Sequence, residues 1–164
     1  MHADLPVRVV DVDFANPQHA ADLVSLLDAY AQDPAGGGEA LSDYARQHLA
    51  QALAARPQAF SVLAYVGERA VGLVNCLEGF STFKCLPLVN VHDVVVLEGY
   101  RGARVGQRLL QRVEQRARER GACKLTLEVL QGNAPAQRLY ARLGFAPYQL
   151  DPAWGQAQFL QKWL

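Results

Sequence analysis

The stretch Glu98-Gly99-Tyr100-Arg101-Gly102-Ala103-Arg104-Val105-Gly106-Gln107 sets glycines and arginines between an apolar run and an amphipathic one. That junction has the chemistry of an anion site. The first amides of a helix lack intrahelical partners and carry partial positive charge, so they suit a phosphate. Glycine lets the backbone approach such a ligand, and Arg101 and Arg104 can add charge-assisted hydrogen bonds. No Gly-Lys-Ser/Thr follows and the glycines miss the G-x-G-x-x-G spacing, so neither common nucleotide loop fits. Taken alone, the segment also reads as an ordinary basic turn before a surface helix.

The elements that would hold this turn follow from periodicity. Leu88 to Leu97, read as LVNVHDVVVL, is a long strand candidate, and Val105, Leu109, Val113 and Ala117 repeat at helical spacing over 105–120. Upstream, Val7 to Val12 reads as a strand. Ala20 to Ala31 and Ser42 to Ala55 read as helices separated by Asp33-Pro34-Ala35-Gly36-Gly37-Gly38. Ala59 to Val66 and Ala70 to Phe80 are strand-like about a Gly67-Glu68 turn. Downstream come a strand over Lys124 to Leu130, a short helix over Ala134 to Leu143, and strands over Phe145 to Tyr148 and Gln156 to Trp163. Strands alternate with helices after an opening helical pair, which predicts a mixed α/β sandwich in one domain, residues 1–164. Strict alternation puts His92 and Asp93 on opposite faces of their strand.

The downstream run carries a second pattern: Lys124-Leu125-Thr126-Leu127-Glu128-Val129, then Gly132-Asn133, Ala136, Leu139-Tyr140 and Leu143-Gly144-Phe145. With the arginine turn, it resembles the GNAT superfamily of acyl-CoA-dependent N-acetyltransferases. There the turn reads Gln/Arg-x-x-Gly-x-Gly/Ala and the later stretch reads Asn-x-x-Ala-x-x-Leu-Tyr-x-x-x-Gly-Phe. The likeness runs from about Val89 to Tyr148, with Arg104 standing where the family usually has glycine. It implies a GNAT fold: a mixed sheet of about six to seven strands, about four flanking helices, and splayed central strands that hold coenzyme A.

The resemblance also implies roles. Acetyl-CoA would be the co-substrate, and no metal is expected. The main chain of Val94, Val95 and Val96 would pair with the pantetheine arm. Arg101, Gly102, Ala103, Arg104, Val105, Gly106 and Gln107 would hold the pyrophosphate, and Asn133 and Ala136 would add contacts to the arm. Tyr140 aligns with the general acid that protonates the leaving thiolate; a phenol's pKa of about 10 suits that task. His92 stands where some relatives carry glutamate, and Glu128 matches the base proposed in ribosomal-protein alanine acetyltransferases. Either could take the amine's proton, with Asp93 behind them.

Acceptor pockets in the family use the segments that correspond to Tyr30–Tyr44 and Gly79–Leu88. Asp33, Glu39 and Asp43 favour a cationic small-molecule or peptide amine, though the first segment also reads as a solvated loop. Phe80 and Phe83 could wall a pocket, and Lys84 leaves room for an amino acid. A GNAT-fold protein that binds acyl-CoA without catalysis is the alternative, and nucleic-acid binding through helix 105–120 is a weaker one. The balance of Lys+Arg 16 against Asp+Glu 16 gives no global pull toward nucleic acid or an anionic membrane. No apolar run approaches a membrane span. Cys76, Cys85 and Cys123 are an odd set without CxxC spacing, which fits reduced thiols in the cytoplasm. Trp154 and Trp163 near the end of the chain leave a homodimer open.

Overall fold

The apolar runs that follow Pro57 become the middle of a sheet covered on both faces. In the computed structural model, which describes residues 6–164, the sheet order is β1 (Val7–Asp11), β2 (Ala59–Val66), β3 (Arg69–Ser81), β4 (Leu86–Val96) and β5 (Leu125–Leu127). The first four strands are antiparallel to their neighbours, and β5 lies parallel to β4. Double coverage explains why β2 is buried almost throughout and reads as a run rather than an alternation. The β2–β3 turn is built on Gly67, whose φ of 58° suits glycine.

Helices α1 (Pro17–Gln32) and α2 (Asp43–Ala54) start at side-chain caps: Asn16 accepts from the amides of Gln18 and His19, and Ser42 accepts from Ala45. Leu23 and Leu26 of α1 pack with Leu63, Tyr65, Leu73 and Val95 of the sheet. Helix α3 (Val105–Glu119) covers the opposite face with Val105, Leu109, Leu110, Val113 and Ala117. Its approach depends on Gly72, which alternates with Leu73. A Cβ at Gly72 would lie 2.9 Å from Leu109 Cδ1, 2.9 Å from Val105 Cγ1 and 3.1 Å from the Val95 carbonyl oxygen.

The arginines of α3 are engaged. Arg108 donates to the Val7 carbonyl, Arg112 grips Asp11 through two bonds, Arg118 pairs with Glu114, and Arg120, just past the helix, pairs with Glu78. Arg116 pairs with Glu119 and also lies near Asp11.

The chain divides into two units, one up to Leu130 and one from Gln131. The second holds α4 (Ala134–Arg142) and a short 3-10 turn at Pro152–Trp154. Among the described residues the sheet has five strands, not six to seven. Two expected strands are absent: residues 145–148 and 156–163 form no strand. Pro147 removes an amide donor from the first of these. In the second, the apolar side chains Phe159, Leu160 and Trp163 are exposed. The strand expected over 124–130 shortens to β5, because its partner β4 turns away. No described helix is long and apolar enough to cross a membrane.

Candidate functional site: an opening between two strands

Strand β4 begins beside β5 and then leaves it. Val89, Asn90 and Val91 pair with Leu125, Thr126 and Leu127, after which β4 runs on to Val96 with β3 as its partner. The separation coincides with a bulge. Asn75 registers with Asp93 and Cys76 with Val91, so His92 is an extra residue opposite no partner. A bulge bends its strand and sharpens the local twist, which carries β4 away from its parallel neighbour. The β5-facing edge over Val94, Val95 and Val96 is thereby left without a strand, and such an edge can pair with an extended ligand. The expected splay is present.

The bulge corrects one expectation. His92 and Asp93 share a sheet face, because the inserted residue breaks the alternation. His92 Nδ1 lies 3.4 Å from the amide nitrogen of Asn90, two residues back on the same face. The Asp93 carboxylate accepts from Asn75 Nδ2 at 3.1 Å, and Asn75 stands in register across the strands. Asn90 is held in turn by the Thr126 hydroxyl, which donates to it at 3.1 Å. Behind Asp93, the Ser61 hydroxyl donates to Asn75 Oδ1 at 2.6 Å. Glu128 follows directly on the last residue of β5 and is exposed. The two expected bases, His92 and Glu128, each stand one residue beyond the Val91–Leu127 pair.

The glycine-arginine turn lies between β4 and α3. No hydrogen bond among the described residues occupies the amides of Gly102, Arg104, Val105, Gly106 or Gln107, and no acidic residue sits in the helix's first turn. That leaves a group of free donors at a helix N-terminus, the arrangement that binds phosphate. Arg104 caps the helix at φ 60°, in the left-handed region that favours glycine. Arg101 is committed elsewhere: its guanidinium donates to the Val96 carbonyl at 3.2 Å and to Asp33 at 3.1 Å. Asp33 follows α1, so this pair ties the expected acceptor loop to the glycine-arginine turn. Hydrogen bonds from the Ala35 amide and then Arg101 hold the Asp33 carboxyl below its ordinary pKa.

Tyr30, on the last turn of α1, donates its hydroxyl to the Ala35 carbonyl at 3.4 Å. Burial first, and then the charges of Asp93 and Asp33, push its phenol pKa upward. On the β3–β4 hairpin, Phe80 and Phe83 are exposed and form no buried wall. The Cys76 thiol is buried and its pKa is raised by desolvation, so it is a packing residue rather than a nucleophile. Among the described residues no group of His, Cys, Asp or Glu is arranged to hold a metal ion.

In the second unit, Asn133 caps α4 by accepting from the Ala136 amide at 3.3 Å. Tyr140 is buried on that helix, edge-on to Phe145 with ring centroids 5.8 Å apart. The Phe145 amide donates to the Tyr140 carbonyl at 3.0 Å, which closes the helix around the tyrosine.

Sequence reasoning missed Ser61, Asn75 and Gly72. The first two were visible as lone polar residues inside the apolar runs AFSVLAYV and VGLVNCL. Gly72 left no such signal.

Comparison with known proteins bears on the family and the fold. Residues 23–145 match the profile described as "Acetyltransferase (GNAT) family". The chain is similar to streptothricin acetyltransferase of Streptomyces lavendulae, 40% identical over 87 residues, which cover 51% of this chain and 46% of that protein. The chain thus spans about half the length of that relative. Among solved structures, a probable acetyltransferase superposes with TM-score 0.79 at 24% identity, covering 94% of this chain and 97% of that one. An aminoglycoside acetyltransferase from an uncultured soil metagenomic sample, in complex with sisomicin, gives 0.77 at 14% identity, covering 96% and 97%. At these identities the structural likeness speaks for the fold. With the family profile matching most of its length, the chain belongs to the acetyltransferase (GNAT) family.

Proposed function

We propose that the chain transfers an acetyl group from acetyl-CoA to a primary amine of a small cationic molecule, by direct attack within a ternary complex. The observation that carries this reading is the opening of β4 from β5 beside the free amides of α3's first turn. In this reading the pyrophosphate rests on the amides from Gly102 to Gln107 with Arg104. The pantetheine arm lies along Val94 to Val96, and one of those amides polarises the thioester carbonyl. Arg101 fixes the turn through Asp33 and meets the phosphates from there. Asn133 and Ala136 complete the arm's contacts on the motif they belong to.

The acceptor nitrogen must be neutral to attack. His92 takes its proton in this reading, and the support is orientation: Asn90 holds the imidazole, whereas no hydrogen bond orients Glu128 among the described residues. The Thr126 hydroxyl can accept as well as donate. The Asn90 amide can therefore turn its oxygen onto a protonated Nδ1, which frees Nε2 to take the proton. Nitrogen attack on the carbonyl gives a tetrahedral intermediate. Its collapse expels the thiolate, which takes a proton from Tyr140; the attacking nitrogen sheds its surplus proton as the amide forms, and that proton restores the phenol. The acceptor class is supported by Asp33 and Asp93 near the end of α1, and by the likeness to a protein named for streptothricin.

Acetyl-CoA-dependent turnover of streptothricin or another polyamine tests these roles. Tyr140→Phe and His92→Ala should each lower kcat by about a hundredfold or more while leaving acetyl-CoA affinity unchanged. Full turnover in Tyr140→Phe removes the acid. If Glu128→Gln is the slow variant and His92→Ala is not, the base passes to Glu128.

A further inference from the structure

We infer that Asp93 determines acceptor specificity: its carboxylate takes a second, protonated nitrogen of the acceptor while the first nitrogen attacks. The inference rests on the acetyltransfer reading and narrows its acceptor to molecules with at least two amino groups.

Two polar side chains, Ser61 and Asn75, are buried in the sheet behind Asp93. Ser61 and Asn75 are 2% and 6% exposed, in strands whose same-face neighbours are Leu63 and Leu73. Burying a hydroxyl and an amide there costs stability unless each is satisfied. They satisfy one another and then Asp93, in one direction only. An ionised carboxylate can only accept, so Asn75 must present its NH2 to Asp93. The amide oxygen then needs a donor, and the Ser61 hydroxyl provides it. The chain of donors ends on Asp93, whose carboxylate is its final acceptor.

That anion lacks a counter-charge. Asp11, Asp28, Asp33 and Glu78 each have an arginine, whereas Asp93 forms no ion pair among the described residues. Its Oδ2 takes the Asn75 bond, and no second hydrogen bond to the carboxylate is made among the described residues. Tyr30, on the last turn of α1, packs against the cluster that contains Val95, two residues along β4 from Asp93, which sets Asp93 near the end of α1, where the acceptor loop begins. The bulge puts it on the His92 face, one residue along.

Those positions divide the labour. The nitrogen served by His92 must lose its charge before it attacks, so a carboxylate held beside it meets a different, still protonated nitrogen. A partly desolvated carboxylate also repels an acceptor that carries its own carboxylate, which disfavours a free amino acid. The acceptor is therefore a diamine or larger polycation.

Steady-state CoA release with putrescine, and with the analogue in which one amino group is replaced by hydroxyl, tests this directly. The wild type should show a KM lower by about tenfold for the diamine. Asp93→Asn should abolish that preference by raising the diamine KM far more than the hydroxyl analogue's, with acetyl-CoA affinity unchanged. Ser61→Ala should raise the diamine KM in the wild type and add nothing in Asp93→Asn, which a merely structural role would not produce. Thermal denaturation of each variant confirms that it folds. A diamine preference that survives Asp93→Asn overturns the inference alone. A wild type that binds acetyl-CoA yet releases no CoA with putrescine, spermidine or streptothricin overturns the transfer reading with it.

Discussion

Arg104 shows how one side chain serves two opposed demands. Its φ of 60° is left-handed, a conformation costing a residue with a Cβ about 1 kcal/mol or more relative to glycine. Its guanidinium has no protein partner among the described residues, while the neighbouring Arg101 is bound to Asp33 and Val96. Arg104→Gly should therefore raise the stability of the free protein by up to about 1 kcal/mol, less the entropy that glycine returns to the unfolded chain. It should also weaken acetyl-CoA binding. Urea denaturation reads the first effect and calorimetry the second. Unchanged affinity would remove Arg104 from the phosphate site. The motif made this position legible as a departure from glycine. Its left-handed backbone was not legible, because an arginine in sequence carries no mark of φ.

At the scale of elements, α3 is placed by contacts that its own periodicity does not contain. The apolar stripe at Val105, Leu109, Val113 and Ala117 was readable, and all four are buried. What sets the helix against the sheet is Gly72, far upstream. Gly72→Ala should cost about 1–3 kcal/mol by overpacking against Leu109, Val105 and the Val95 carbonyl. Because Val105 opens α3 beside the proposed phosphate turn, acetyl-CoA affinity should fall as well; a variant as stable as the wild type would contradict the tight approach. The far end of α3 is tied to β1 by Arg112, whose Nε and Nη2 reach Asp11 at 2.8 and 2.6 Å. This pair, with burial opposing it, holds the Asp11 carboxyl below its ordinary value of 3.8. A lowered folded-state pKa adds stability above the unfolded value and loses it as pH falls through the folded one. Asp11→Asn should accordingly cost about 0.5–1 kcal/mol at neutral pH, a range suited to a partly exposed pair. The gap from wild type should close in acid, as denaturant midpoints across pH will record. A gap independent of pH would assign the loss to packing.

The whole molecule was legible where one segment sufficed to specify an element. Strands β2 to β4, the helices and the separation of β4 from β5 followed from apolar runs, caps and motif resemblance. Partnership was not legible. The sequence of β4 does not announce that His92 is an inserted residue, since a bulge is defined by the facing strand. The shared face of His92 and Asp93 therefore appeared only with the register. Likewise 156–163 has strand-forming residues, but a strand exists only where a neighbour takes its hydrogen bonds. The central claim, acetyl transfer to an amine, is tested most directly by mass spectrometry of streptothricin after incubation with acetyl-CoA and the purified chain. A monoacetylated product should form in step with free CoA and be absent in Tyr140→Phe over the same interval. Tight acetyl-CoA binding with no acetylated amine across a panel of polycations would contradict it and leave a protein that holds the thioester without transferring it.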